Sequence, residues 1–147
     1  RPMRDSAVIF TLDGVLANDT HRQPAKGQKM HWRQRYDQAL IEEDHPFPEM
    51  IRLCRQLSEA NGIVIVTERP ITVSEVTINW MRSHGIKYDA IYMKQDLREC
   101  PADLSKIELI QRAKDARWNP WLVIDSDPKL IDKIVSASGI QGLLVSN

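Results

Sequence analysis

Ala7-Val8-Ile9-Phe10-Thr11-Leu12-Asp13-Gly14-Val15-Leu16 sets four apolar side chains in a row before a hydroxyl and a Leu-Asp-Gly turn. An unbroken apolar run of this length, closed by turn residues, is the pattern of a strand buried on both faces. Its polar end then lies at the carboxyl edge of a parallel sheet, where open α/β folds bind their ligands. Outward from this stretch the same pattern recurs. Residues 63–67 read Ile-Val-Ile-Val-Thr, residues 90–93 Ala-Ile-Tyr-Met, residues 121–125 Trp-Leu-Val-Ile-Asp, and residues 141–145 form a last strand.

Helical segments separate these strands. Residues 30–41 carry Trp32, Tyr36 and Leu40 at near-helical spacing. A second helix runs from Pro48 through Ala60, with proline suited to its first turn. Further helices are expected over 73–84, over 103–113 carrying Lys106, and from Asp127-Pro128 to about Ser138. Glu68-Arg69-Pro70 and residues 94–101 read as loops. Alternating strands and helices argue for an α/β fold, a Rossmann-like three-layer sandwich around a parallel sheet. The right-handed crossover rule favours strand order 3-2-1-4-5 with the strand of Thr11 in the centre. Thr11, Thr67 and Asp125 then end neighbouring strands at the switch point of the sheet.

The 147 residues suit one domain, 1–147, with a small helical cap insert over about 17–46. Twenty basic and twenty acidic residues cancel, so no global field recruits nucleic acid or a membrane, and any such affinity rests on a local patch. One patch is available: Arg22, Lys26, Lys29, Arg33 and Arg35 lie between His21 and Arg35 with no acid among them, beside Trp32. That combination suits a phosphodiester backbone and a stacked base. No apolar run is long enough to span a bilayer, and no signal-peptide pattern opens the sequence. Cys54 and Cys100 make no metal or redox spacing, and a cytoplasmic compartment is expected. The four histidines lack partners at zinc-ligand spacing.

Leu12-Asp13-Gly14-Val15-Leu16, the Thr67 strand end, Lys106 and Asp125 together resemble the four motifs of the haloacid dehalogenase phosphotransferases. Met93-Lys94, Asp103-Leu104-Ser105-Lys106 and Leu109-Ile110 narrow the resemblance to the phage-like, polynucleotide-kinase type of 3′-phosphatase domain, over residues 8–145. The segment from His31-Trp32 to Tyr36-Asp37 is similar to the small cap helix of phage-type members.

This resemblance implies a set of roles. Thr11 occupies the nucleophile position, Asp13 that of the general acid and base, and Thr67 and Lys106 hold the phosphoryl oxygens. Arg22, Arg69 and Lys94 fall at substrate-binding positions. Asp13, Asp125 and Asp127 are the acids for a magnesium ion. A phosphorylated small molecule or a nucleic-acid end is the implied ligand.

Three positions depart from the family pattern. Thr11 stands where the nucleophilic aspartate belongs, Glu68 replaces the usual glycine of the second motif, and Ser126 replaces an acid of the fourth. A threonine hydroxyl is a poor nucleophile without an adjacent base. Losing the nucleophile of a concerted site costs on the order of a million-fold in rate. The loss of a carboxylate also weakens or abolishes magnesium binding. The expectation is a catalytically impaired phosphate- or nucleic-acid-binding or interaction protein. The alternative is a magnesium-dependent phosphatase acting on nucleotide or polynucleotide 3′-phosphates. A phosphorylation-receiver domain shares this strand order but needs an acceptor aspartate at the end of the third strand, where Met93-Lys94 stands.

Overall fold

The structure is a computed structural model and describes residues 6–95 and 102–147. Strand β1 (Ser6–Thr11) is followed by a tight turn in which Gly14 N donates to Ala17 O at 2.8 Å. The chain then makes an excursion. It leaves through β2 (Ala17–Asn18), passes two short helices, α1 (Trp32–Arg35) and α2 (Gln38–Glu42), and returns as β3 (His45–Pro46). β2 and β3 pair antiparallel, Ala17 against Pro46 and Asn18 against His45, so the excursion starts and ends at one place. The single helix expected over 30–41 is two. Asp37 accepts a hydrogen bond from Leu40 N and starts a new helix, because a side-chain cap competes with continuation of the old one.

Helix α3 (Pro48–Leu57) opens on its proline and ends three residues earlier than expected. β4 (Gly62–Pro70), α4 (Ser74–Ser83) and β5 (Ala90–Lys94) follow. Beyond residue 101 come α5 (Ala102–Asp115), β6 (Asn119–Asp125), α6 (Pro128–Ser138) and β7 (Gln141–Leu144). α6 begins where expected: the Asp127 side chain accepts from Lys129 N and Leu130 N, and Pro128 takes the first turn. It ends at Gly139, whose φ of 72° is the left-handed cap that glycine adopts without steric cost. Most of the loop expected over 94–101 lies outside the described residues, as does Cys100.

The parallel sheet runs β5-β4-β1-β6-β7, which is the expected 3-2-1-4-5 order counted over its five strands. Alternation along the strands divides the core in two. Val8, Phe10, Ile63, Ile65, Leu122 and Ile124 meet Met50, Ile51, Cys54, Trp80 and Met81 from α3 and α4. Ala7, Ile9, Val64, Val66 and Val123 meet Leu109, Ile110, Leu130, Ile131 and Ile134 from α5 and α6. The two apolar faces leave the polar strand ends nowhere to go but the carboxyl edge. Glu68-Arg69-Pro70, expected as loop, continues β4, since pairing with β5 resumes at Pro70 and Lys94 after an irregularity past Thr67. Among the described residues no helix is long and apolar enough to cross a membrane.

Candidate active site

The carboxyl edge of the sheet holds a hollow of about 360 Å³. Asp13, Thr67, Lys106, Asp125 and Asp127 line it, five of the nine residues singled out from the sequence. Leu12, Gly14, Asp19, Gln23, Arg35, Glu68, Ser126 and Leu130 complete the wall. Gly14 is required where it stands. Its φ is 86°, and a Cβ there would collide with the Ser126 hydroxyl across the hollow.

Two charge clusters meet at this hollow. In the first, Thr11 ends β1 almost wholly buried and donates its hydroxyl proton to Asp125 Oδ1 at 2.9 Å, with Ile124 O at 3.2 Å. Asp125 Oδ1 also accepts from Ser126 N at 2.8 Å. Lys106 Nζ, from α5, sits 3.3 Å from Asp125 Oδ2. The Thr11 hydroxyl thus spends its proton on a carboxylate whose other lone pairs face a backbone amide and an ammonium.

The second cluster joins the sheet to the excursion. Arg69 Nη2 and Nε reach Asp13 Oδ1 and Oδ2 at 2.6 and 3.1 Å. The same guanidinium reaches Thr77 on α4 at 3.1 Å and Asp44 at 3.0 Å. Arg22 forks onto Asp44 at 2.8 and 2.6 Å and touches Asp13 at 3.1 Å. Its remaining nitrogen donates to Arg35 O at 2.9 Å. The side chains of Arg22, Arg69 and Asp44 are fully buried. Burial alone would push the Asp13 carboxyl up, but the Arg69 guanidinium beside it, with Arg22 and Arg35, holds it below the usual carboxylate range. Asp19 goes the other way, because burial and the nearby Asp13 charge raise it.

The structure therefore distributes the sequence candidates unevenly. Thr11 joins the hollow through Asp125. Arg22 and Arg69, expected at the substrate, turn inward onto Asp13 and Asp44. Lys94 ends β5 opposite Pro70 and is not among the residues that line the hollow. Asp127 lines it but commits Oδ1 to two amides at the start of α6. Asp44 and Thr77 escaped the sequence reading. Asp44 lies in Glu42-Glu43-Asp44-His45, a run that looks solvated, and nothing local marks it as the counter-ion of two buried arginines. Trp80 Nε1 donates to Asp44 O at 2.9 Å, and that tie to α4 draws it inside.

A magnesium ion held by Asp13, Asp125 and Asp127 does not fit these donors. Asp13 accepts bonds from two guanidiniums, Asp127 caps a helix, and the Lys106 ammonium already lies 3.3 Å from Asp125 Oδ2. Position 11 supplies a hydroxyl already given to Asp125. Among the described residues no three His, Cys, Asp or Glu side chains are grouped to hold an ion.

A family model described as the polynucleotide kinase PNKP phosphatase domain matches residues 5–146. The chain belongs to that family. It is a haloacid-dehalogenase-fold, phosphatase-like domain, and solved structures agree on the fold. A chain of a Pnkp1/Rnl/Hen1 RNA repair complex superposes with a TM-score of 0.81 at 17% identity, covering 96% of this chain and 42% of that one. A haloacid dehalogenase-like family hydrolase from Streptococcus pneumoniae gives 0.71 at 18%, covering 96% and 84%. A HAD-superfamily hydrolase from Geobacter sulfurreducens gives 0.62 at 12%, covering 96% and 89%. The chain thus spans less than half of the repair-complex chain that it resembles. No curated protein matches it.

Proposed function

We propose that this phosphatase-family domain binds phosphorylated nucleic-acid ends without hydrolysing them. The observation that carries the reading is the Thr11 hydroxyl, buried and hydrogen-bonded to Asp125 at 2.9 Å where the family places its nucleophile. To attack a phosphorus atom, that oxygen must lose its proton to a base and turn a lone pair outward. Its neighbour Asp125 is engaged by Lys106 and Ser126 N. The general-acid position is equally committed, since Asp13 lies between two guanidiniums that favour its charged form, whereas a general acid must hold a proton to give.

Binding has separate support. Lys26, Lys29 and Arg33 are exposed on the excursion, and Arg33 lies 5.3 Å over the Trp32 ring. Cations and an aromatic face side by side suit a single strand, with the phosphates held by charge and a base by stacking. Membership of a polynucleotide phosphatase family favours a polynucleotide over a free phosphorylated metabolite.

The test is hydrolysis and binding of a 3′-phosphorylated oligonucleotide with magnesium present. The expected result is binding with no phosphate release, and an affinity that falls with salt at roughly 0.7 logarithmic units per phosphate contacted. Magnesium-dependent release that disappears in Asp13→Asn would establish the active-phosphatase alternative instead.

A further inference from the structure

Among the described residues, once the buried pairs are made, one cation on the wall of the hollow is left loosely held. Lys106 is committed to Asp125, and Arg22 and Arg69 to Asp13 and Asp44. Arg35 is different. Its backbone is fixed, because Arg35 O accepts the Arg22 bond at 2.9 Å. Its guanidinium lies over the Tyr36 ring at 5.5 Å, which holds the plane of the fork. Its Nε is buried and has no hydrogen-bond partner among the described residues. Its acidic partner is Glu68, with Nη2 and Oε1 3.9 Å apart, too long for a hydrogen bond. Both side chains are partly exposed and both line the hollow.

This pair spans the site: Arg35 ends α1 of the excursion, and Glu68 sits in β4 between Thr67 and Arg69. We propose that Arg35 recognises a terminal phosphate monoester entering the hollow, and that Glu68 is a built-in carboxylate that competes with it. The proposal rests on the reading that the domain binds nucleic-acid ends. A guanidinium fork presents Nε and Nη together to two oxygens, and a phosphate monoester offers three in a matching arrangement. Glu68 satisfies neither nitrogen well, so it screens the charge without filling the fork. The other acids on the wall are tied down: Asp13 by guanidiniums, Asp125 by Lys106, Asp127 by helix amides and Asp19 by Gln23. Glu68 is the acid whose partner is the loosely held cation, and it occupies the place where the family pattern has glycine. Displacing its carboxylate frees Arg35 and removes a like charge from the path of the phosphate.

Calorimetric titration with one oligonucleotide, ending either in a 3′-phosphate or in a 3′-hydroxyl, reads this out. Glu68→Gln is expected to bind the phosphorylated end about tenfold more tightly, the scale of one charge-assisted contact, and the hydroxyl end no better. Arg35→Gln should lose the preference for phosphate, and the double variant should show no gain over Arg35→Gln. Arg35→Lys, which keeps the charge without the fork, should retain part of the preference. An equal gain for both ends in Glu68→Gln would overturn the proposal, as would a preserved preference in a folded Arg35→Gln protein or absent binding by both wild type and Glu68→Gln. Phosphate release measured in the same samples separates the two readings. Turnover by the wild type would defeat catalytic silence while leaving the Arg35 and Glu68 comparison intact.

Discussion

The two charge clusters at the hollow solve the same problem in different ways. Both place a carboxylate at the carboxyl edge of the sheet, Asp13 beyond β1 and Asp125 at the end of β6. Asp13 belongs to a network of two acids, two arginines and His21 whose ends are nearly all used, including Thr77 on α4 and Arg35 O on α1. Asp125 has one ammonium at 3.3 Å, one amide and one hydroxyl. The first cluster ties three elements and the excursion together. The second holds side chains near the place where chemistry occurs in the family. Planar guanidiniums can satisfy several oxygens at fixed angles and remain buried, whereas lysine is a point charge that leaves geometry open. The first cluster accordingly carries the architecture, and the second carries whatever reactivity position 11 allows.

The largest expected effect breaks the first cluster. Arg69→Ala removes the guanidinium shared by Asp13, Asp44 and Thr77 and leaves the two acids with Arg22 as their one guanidinium, His21 Nε2 still lying 2.6 Å from Asp44 Oδ1. Breaking a buried pair by deleting one partner costs about 3–5 kcal/mol. Urea unfolding should show a fall of that size, and the excursion should gain amide exchange ahead of the sheet. By contrast, Lys106→Met, which removes the cation of the second cluster while keeping an aliphatic stem, should cost less, because Asp125 keeps the Thr11 hydroxyl and the Ser126 amide and lines the hollow. Equal losses in the two variants would abolish the distinction drawn between the clusters.

Reading the sequence reached these clusters to different depths. The strands were legible because β-branched runs buried on both faces leave little choice of structure, and the crossover rule then fixes their order. Thr67, Asp125 and Asp13 were legible with them, since a polar residue that closes such a strand arrives at the carboxyl edge. The arginine clamp was not. Arg22 and Asp44 come from the irregular excursion, where no periodicity says which side chain turns inward. Their burial is decided by contacts with Arg69, Thr77 and Trp80, far away in the chain. The break between α1 and α2 was hidden for a local reason: apolar spacing through Tyr36 and Leu40 continues across Asp37, but the Asp37 carboxylate captures Leu40 N and restarts the helix.

A second, intermediate effect sharpens the comparison at Thr11. In the wild type the melting temperature is expected not to move with millimolar magnesium, because position 11 offers a hydroxyl already given to Asp125 instead of a second carboxylate. Thr11→Asp sets a new carboxylate against Asp125 in a buried site, which should cost more in chelator than the roughly 1–3 kcal/mol of a neutral unsatisfied group. Magnesium should then restore stability, by about 2.7 kcal/mol at a hundredfold excess over its dissociation constant. A wild-type melting temperature that rises with magnesium as much as the variant's would show that the native donors suffice for the metal.

The smallest effect contrasts two acids on the same wall. Asp13 is held below the usual carboxylate range despite burial, so its stabilising contribution is present above the unfolded value of about 3.9 and is lost as pH falls through the lower folded value. Asp19 is raised, first by burial and then by the Asp13 charge. Its folded form holds a proton more tightly than its unfolded form, so folding loses stability as pH rises from about 3.9 through the raised value. Asp19→Asn keeps an oxygen for Gln23 and removes the charge that burial penalises. The variant should therefore be more stable than wild type at neutral pH, by a fraction of the roughly 1 kcal/mol typical of single substitutions. Its advantage should vanish below about pH 3.9, where the unfolded carboxyl is protonated too. The acid limb set by Asp13, at lower pH, should stay in place. Urea midpoints measured from pH 3 to pH 7 decide between this and the opposite account, in which Asp19 stabilises through Arg22 and Arg35: there the variant would be weaker at neutral pH and the two curves would converge only in acid.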